Sequence, residues 1–428
     1  MTEIIDTGAA HPTADRISAG LRARNRKQVI LQGLGLAAIG FAFLMLAILV
    51  GSLVSTGYKA FTQTHLTIDV FVDPAEIKVA RLPRGGFDDV LAAALQARFP
   101  DVTDGGQLKL LATMFSDGAQ FSLRDMVVAD PALIGQTITL TVPVSDPFDQ
   151  LNKGLIDRAT ANDARRVSDA QIVWFDALLS DGAISNPINW ALLTSADSRF
   201  PEQAGLKGAL VGSFWALLVC FVISFPLGIG AAIYLEEFAP KNRMSDLIEV
   251  NINNLAAVPS VVYGLLALVV FIGWFGLGRS TPFVGGLTLA LMTLPTIIIA
   301  TRVAIKAVPP SIREAALGVG ASKMQVVFDH VLPLAMPGVL TGTIIGLARA
   351  LGETAPLLLI GMNAFITSAA TSPFDSATAL PTQIFIWADS PERGFVSRTS
   401  AAILVLLAFL MAMNAIAIYL RSRFERKW

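Results

Sequence analysis

Long apolar stretches separated by polar segments dominate the pattern of this chain. Six stretches reach the roughly 20 apolar residues that a membrane-spanning helix needs, and they cover residues 29–55, 207–235, 249–275, 283–305, 334–361 and 399–420. The first stretch is too long for the apolar core of a signal peptide, so we interpret it as a retained anchor. The pattern therefore predicts six membrane crossings.

The polar excursion between the first two stretches, residues 57–204, has a different pattern. Alternating residues in HLTIDVFVD (65–73) and TITLTVPV (137–144) predict strands, whereas FDDVLAAALQARF (87–99) and DARRVSDAQIVWFDALL (163–179) predict amphipathic helices. We therefore expect an inserted α+β domain. Its acidic and basic residues are scattered along the sequence, and we expect them to be solvated surface charges.

The composition supports a membrane protein and argues against several function classes. Of the 428 residues, 54% are hydrophobic and 15% are charged, and the mean hydropathy of +0.61 is well above the soluble range. The net charge of -1 gives no indication of a nucleic-acid partner. Cys220 is the only cysteine, so the sequence predicts no disulfide framework. Without a G-x-x-x-x-G-K-[ST] loop or a histidine cluster, we expect no enzyme, no metal and no cofactor on this chain.

Basic residues beside the apolar stretches predict the orientation. If the first residues are cytoplasmic, the cytoplasmic segments hold most of the lysines and arginines, as the positive-inside rule requires, and the short outer loops hold Arg279, Arg393 and Arg398. We therefore expect both termini in the cytoplasm and an all-α polytopic membrane protein with six transmembrane helices and the inserted α+β domain. Its expected parts are a basic segment (1–28), a first transmembrane helix (29–56), an extracytoplasmic domain (57–204) and a five-helix core (205–428) with a cytoplasmic loop (306–333).

The segment LARALGETAPLLLI (347–360) carries Arg349 and Glu353 inside an apolar stretch. At about 100° per residue, both would lie on one helix face within a stripe of small residues, opposite an apolar face for lipid. The stripe consists of Gly338, Gly342, Gly346 and Ala350, and the apolar face includes Leu340, Ile344 and Leu347. A charge within the membrane is costly and usually has a partner or a function. Two interpretations stay open: a structural salt bridge, and a translocation path in which Arg349 binds an anion.

The segment VPPSIREAALGVGASKMQVVFDHVLPLAMPGVL (308–340) is a second candidate site. We expect Ser311 to cap a short helix whose first turn contains Glu314. Two glycines should interrupt this helix, a second short helix should follow from about Ser322, and Pro333 should mark the return into the membrane. A short exposed helix between two spans is a suitable docking element.

This segment resembles the EAA motif of ABC-importer permeases, E-A-A-x3-G-x9-I-x-L-P. The matching residues are Glu314, Ala315, Ala316, Gly320, Leu332 and Pro333, and His330 stands at the isoleucine position. The resemblance implies that the loop docks into a groove of a separate ATPase subunit and transmits nucleotide-driven closure. Ser311, Arg313 and Lys323 would belong to the same docking surface, and ATP and Mg would be bound by the ATPase subunits.

Four segments together resemble the phosphate-specific permeases of the PstA type: 253–268, 313–323, 348–361 and 379–388. The resemblance covers the chain from about residue 205 onwards and implies that Arg349 and Glu353 handle phosphate. An arginine supplies charge-assisted hydrogen bonds to phosphate oxygens. An ionised glutamate can accept a hydrogen bond only from a protonated anion. Phosphate carries such a proton near neutral pH, whereas sulfate does not. Further candidates for the path are Thr354, Asn254, Ser260, Tyr263 and Arg302.

The resemblance also implies partners. They are a second permease subunit, homologous or identical, two cytoplasmic ATPase subunits, an extracytoplasmic phosphate-binding protein and the lipid bilayer of a bacterial inner membrane. The alternatives are an ABC permease for sulfate, molybdate or phosphonate, and a membrane receptor that senses through the outer domain. A proton-coupled carrier is a third alternative, because Arg349 and Glu353 could relay charge.

Overall fold

The computed structural model describes residues 12–77 and 85–424, so the start of the basic segment predicted at 1–28 lies outside the described residues. The chain divides into two compact units, with the boundary between Ser55 and Thr56. Helix α1 (Pro12–Gly57) makes up the described part of the first unit. It carries an apolar stretch long enough to cross a membrane, which confirms the first predicted span.

The excursion folds as helices around a small antiparallel sheet in the order β2-β1-β3. Its elements are β1 (His65–Phe71), α2 (Phe87–Arg98), α3 (Gly105–Ala112), α4 (Ala119–Ala129), β2 (Thr137–Pro143), α5 (Asp146–Asn152), α6 (Asp169–Ser180), β3 (Ile184–Ser185) and α7 (Ala191–Thr194). Both predicted strands and the helix at 87–99 are confirmed. The helix predicted at 163–179 begins only at Asp169, because Ser168 and Gln171 form a capping box that fixes its first turn.

The two ends of the excursion lie side by side. Thr62 and Ile188 form an antiparallel bridge. The backbone N–H of Gln63 donates to the carbonyl of Pro187 at 3.0 Å, and the N–H of Asn189 donates to Phe61 at 2.8 Å. The chain therefore leaves and re-enters the core at one place.

The rest of the second unit is helical. Its elements are α8 (Lys207–Ile233), α9 (Arg243–Ala256), α10 (Ser260–Ala267), α11 (Pro282–Lys306), α12 (Pro310–Gly318), α13 (Lys323–Gln325), α14 (Leu332–Gly352), α15 (Ala355–Leu359), α16 (Leu380–Ala388) and α17 (Gly394–Phe424). Over the described residues, five helices are long and apolar enough to span a membrane, or up to six if one bent pair counts as a span.

The bent pair lies where we predicted one spanning helix at 249–275, and the helix is broken there instead of continuous. Helix α9 and the helix from Ser260 to Trp274 meet at 100°. Pro259 explains the break, since it has no N–H to continue the helix and its ring disfavours helical backbone at the residue before it. Every residue of α9 is at least partly exposed.

Helix α11 packs between α8 and α14 through glycines. A Cβ added at Gly286 would lie 2.5 Å from the Cβ of Val219 on α8, and one added at Gly342 would lie 2.1 Å from the Cβ of Ala300 on α11. The small-residue stripe is thus a close-packed helix interface. On the opposite face, Leu340, Ile344 and Leu347 are half-buried and line an apolar cavity of about 220 Å³ together with residues of α8 and α17.

Arg398 near the start of α17 joins the excursion to the core. Its side chain is buried, and it donates to the carbonyl of Ala204 at 2.8 Å and to Oε1 of Gln63 at 2.7 Å. Asp146 and Glu202 are also buried and close enough to act on its charge. The expectation that these side chains are solvated surface charges is therefore wrong, since tertiary packing brings them into one junction.

Replacing Gly342 by alanine should destabilise the helix core, because the new methyl group would overlap Ala300. Overpacking of this kind costs about 1–3 kcal/mol. The unfolding midpoint in detergent measures the effect. Gly230→Ala on α8 is the matched control, since no heavy atom of the described structure lies within 4 Å of the added Cβ. Equal midpoints for the two variants would contradict the close approach.

The junction should make stability depend on pH. Burial raises the pKa of Glu202, although a hydrogen bond from the hydroxyl of Ser116 lowers it. A carboxyl with a raised pKa stabilises the fold fully below its ordinary value of 4.5, and this contribution is lost as the pH rises through the raised value. We therefore expect unfolding midpoints to decrease as the pH rises above 4.5, and Glu202→Gln to remove part of that decrease. Asp125→Asn, at an exposed carboxylate, should leave the decrease intact.

Candidate functional site: a charged break in α14 and the loop helix α12

Helix α14 ends at Gly352, within the stretch that we predicted as one helix to residue 361. Glu353 has extended backbone with φ -77° and ψ 121°, and α15 starts after Thr354. The prediction of a continuous helix is wrong because Pro356 has no N–H to donate to the carbonyl of Gly352. The break places the carboxylate of Glu353 at a helix terminus instead of on a helical face.

The two charges nevertheless remain neighbours. Nε of Arg349 lies 3.6 Å from Oε1 of Glu353, too far for a hydrogen bond but within ion-pair range. The side chain of Arg349 is 50% exposed, and that of Glu353 is 19% exposed. Gly346, less than one turn before Arg349, meets Thr293 near the middle of α11. Arg349 therefore lies in the last turn of α14, roughly level with the middle of the membrane-spanning helix α11, and it is half-exposed in this subunit.

Some of the predicted path residues come together at this break. Tyr263 is buried in the same apolar cluster as Ala350 and Leu351, and its hydroxyl donates to the carbonyl of Leu255 at 2.7 Å. A Cβ added at the next residue, Gly264, would lie 2.7 Å from the Cα of Pro356. Helix α10 is therefore in close backbone contact with α15.

Ser260, one turn before Tyr263, and Thr354 are half-buried in this region, whereas Asn254 is exposed on α9 beyond the bend. Arg302 lies elsewhere. Ala300, two residues before Arg302 on α11, packs against Gly342 on α14. Gly342 lies two helical turns, roughly 10 Å, from Arg349 along α14.

Arg302 belongs to an ion network near the end of α11. Its Nη2 donates to Oε2 of Glu249 on α9 at 2.8 Å, and its Nε donates to Oε2 of Glu236 at 3.3 Å. Nζ of Lys306 lies 3.5 Å from the same oxygen of Glu236. Glu236 follows α8 in a π-helical turn, Tyr234–Phe238.

The loop at 306–333 forms the predicted short helix, α12, with different boundaries. Its N-cap is Pro309, not Ser311, because Pro310 fits the first helical position, where no N–H is needed. Glu314 therefore lies beyond the first turn. Gly320 ends the element with φ +90°, a left-handed conformation that glycine adopts without strain.

The second predicted helix begins at Ser322, which forms a capping box with Gln325. It runs through a π-helical turn, Val326–Val331, directly into α14, so Pro333 lies in the first turn of α14 and marks no separate re-entry. Leu332 and Pro333 are half-buried.

The exposed and buried faces of α12 differ. Ser311, Glu314 and Ala315 are exposed, while Ala316 is buried against a cluster that includes Val331. The helix borders a groove of about 490 Å³. Other groove residues are Val308, Pro309, Ile312, Asp329, His330 and Pro333. Lys323 lies over the ring of Phe238, with Nζ 5.1 Å from the ring centroid.

Arg313 turns inward, unlike its neighbours in α12. Its Nε and Nη2 donate to Oε1 of Glu237 at 3.2 and 2.9 Å. Its Nη1 donates to the carbonyl of Val308 at 2.7 Å, and its Nη2 donates to that of Ile305 at 2.9 Å. Sequence reasoning missed Glu236 and Glu237, although two adjacent glutamates at the end of an apolar stretch were a usable signal.

Comparison with known proteins places this geometry in a family. Residues 224–428 match the model of the binding-protein-dependent transport system inner membrane component, and residues 18–162 match a domain of unknown function, DUF3333. A probable ABC transporter permease protein, YqgI, of Bacillus subtilis is 33% identical over 40% of this chain and 58% of its own length. A crystal structure of the MetNI methionine ABC transporter in an inward-facing conformation aligns with a TM-score of 0.39 at 18% identity, over 52% of this chain and 95% of the other.

The phosphate transport system permease protein PstA of Yersinia pestis is 33% identical over 50% of this chain and 71% of its own length. The matched region includes the permease helices and the EAA-like loop described above. The chain is a multi-pass membrane protein, and it belongs to the PstA family of ABC-importer permeases.

Proposed function

We propose that this chain is the membrane-spanning subunit of an ATP-driven phosphate importer and that the break after α14 contacts the anion. The observation that carries the proposal is the half-exposed guanidinium of Arg349, which lies in the last turn of α14, roughly level with the middle of α11, with Glu353 as its neighbour. A charge at this depth needs a partner or a function. The name of the Yersinia pestis relative adds support for phosphate as the substrate.

The separation of the two side chains suits an anion better than it suits a closed salt bridge. At 3.6 Å the carboxylate does not accept a hydrogen bond from Nε, so the guanidinium keeps donors for a ligand. An oxyanion can bind to the fork of Arg349 through two of its oxygens. Glu353 then accepts the hydrogen bond that only a protonated oxyanion can donate.

The open face of Arg349 also suits a path shared between two subunits. A second permease subunit, homologous or identical, would cover this face and complete the site. Two ATPase subunits would bind at the α12 groove and hydrolyse ATP with Mg, while an extracytoplasmic phosphate-binding protein would deliver the substrate. This arrangement belongs in a bacterial inner membrane with both termini in the cytoplasm.

Arg349→Gln should reduce ATP-dependent uptake of labelled phosphate in proteoliposomes that contain the complete complex. We expect a decrease of about 10- to 100-fold, the range for losing charge-assisted hydrogen bonds worth roughly 1.5–3 kcal/mol. Arg279→Gln makes the same charge change at an exposed outer loop and serves as the matched control. ATP hydrolysis in the same preparations tests whether the complex is assembled.

Normal uptake by Arg349→Gln would refute the anion site and leave a structural salt bridge as the explanation of the pair. Loss of both uptake and ATP hydrolysis would also count against it, because an anion contact should not be needed for assembly. Uptake of sulfate, molybdate or phosphonate instead of phosphate by the unmodified complex would overturn the substrate assignment.

Glu353→Gln should weaken discrimination between phosphate and sulfate. The glutamine amide can donate to an unprotonated oxyanion, whereas the carboxylate repels it. We expect competition by sulfate to improve about tenfold, for one hydrogen bond to a charged group. The measurement is phosphate uptake against increasing sulfate. An unchanged competition curve would exclude Glu353 from anion selection.

A further inference from the structure

The side chain of Arg313 joins the cytoplasmic ends of α8, α11 and α12. Arg313 on α12 reaches two carbonyls at the end of α11 and the carboxylate of Glu237 after α8. The side chains of Arg313 and Glu237 are only 23% and 12% exposed. Partly buried pairs with several hydrogen bonds are stronger than surface pairs, so this junction resists separation.

The helices behind the junction are equally close. A Cβ at Gly228 on α8 would lie 2.6 Å from a methyl carbon of Ile297 on α11, and a Cβ at Gly286 on α11 would overlap Val219 on α8. No side chain can act as a spacer at these points, so α8 and α11 cannot slide without separating. Any movement of α12 must therefore be passed on to both helices.

Helix α9 contrasts with this group. Its described contacts to the ion network run through Glu249, whose side chain is 44% exposed. The 100° bend connects it to α10, and every residue of α9 is at least partly exposed. A surface ion pair of this kind contributes little to stability, about 0–1 kcal/mol.

We propose that Arg313 is a positioning residue whose clamp on Glu237 and on the end of α11 stays closed throughout the transport cycle. Helices α8, α11 and α12 then move as one rigid lever, and the changes between outward-open and inward-open states occur at the α9–α10 bend and at the break after Gly352. The proposal deepens the proposed function, because it specifies how a force on α12 reaches the membrane helices. Arg313 thus differs from the exposed residues of α12, which face a docking partner.

The test bridges the clamp covalently and asks whether transport continues. Cys220 is the only native cysteine, so a Cys220→Ser background allows Glu237→Cys and Arg313→Cys to be joined by a reducible bis-methanethiosulfonate linker. Proteoliposomes with the complete complex are assayed for ATP-dependent anion uptake before bridging, after bridging and after reduction. The Cys220→Ser parent treated with the same reagent controls for other effects of the linker.

A clamp that stays closed predicts low anion uptake per ATP in the unbridged variant, which lacks the ion pair. Bridging should then raise uptake to within about twofold of the Cys220→Ser parent, and reduction should lower it again. Uptake that stops on bridging and returns on reduction would overturn the proposal, because the clamp must then open in each cycle. Arg313→Lys supplies a second measurement without a linker. A lysine cannot reach Glu237 and both carbonyls together, so we expect ATP hydrolysis to continue while anion uptake per ATP decreases.

Equal uptake per ATP in Arg313→Lys and the parent would likewise overturn the positioning role. The Cys220→Ser parent distinguishes a failure of this inference from a failure of the substrate assignment. A parent that transports a different oxyanion refutes phosphate as the substrate, and the effect of bridging is then measured with that oxyanion.

Discussion

The close approach of α11 to its two neighbours is the constraint on which the rest of this subunit depends. In a bilayer, apolar side chains gain little from leaving lipid, so helices associate through packing of small residues. Glycines at Gly286 and Gly342 bring the backbones of α8, α11 and α14 together at points where even a methyl group would overlap. This packing fixes two parts of the core: the end of α11 that leads into α12, and the level at which α14 breaks.

The charges of the core are distributed in two contrasting ways. At the end of α11, the guanidinium of Arg313 has its donors occupied by Glu237 and two carbonyls. At the break after α14, the guanidinium of Arg349 is half-exposed beside a carboxylate too distant to accept a hydrogen bond from Nε. The first arrangement is suited to transmitting force and the second to exchanging ligands. Arginine is therefore suited to two different roles in this subunit. The number of N–H donors that the fold already satisfies decides which role each arginine has.

Local patterns in the sequence predict much of this structure. Apolar length identifies the spans, alternation identifies β1 and β2, and the glycine spacing of α14 identifies its packing face. The failures come from interactions between distant segments. The partner of Arg313 lies 76 positions earlier, at Glu237, and Arg398 is buried by Gln63 from the other end of the chain. The helical-wheel prediction that placed Glu353 on a helix face was wrong for a local reason. Pro356 has no N–H for the hydrogen bond to the carbonyl of Gly352 that would have continued the helix.

The adjoining ends of the excursion have a consequence for how such permeases diversify. Because Thr62 pairs with Ile188, the two ends of the inserted domain lie together, and the domain is attached to the helices of the core at one place, like the loop of a hairpin. The two hydrogen-bond acceptors of Arg398, Gln63 and Ala204, also lie close to the two ends of that loop. A lineage could therefore shorten, enlarge or exchange the body of the domain while retaining the acceptors that satisfy a buried arginine. The attachment point, not the domain, is what the permease core needs to keep.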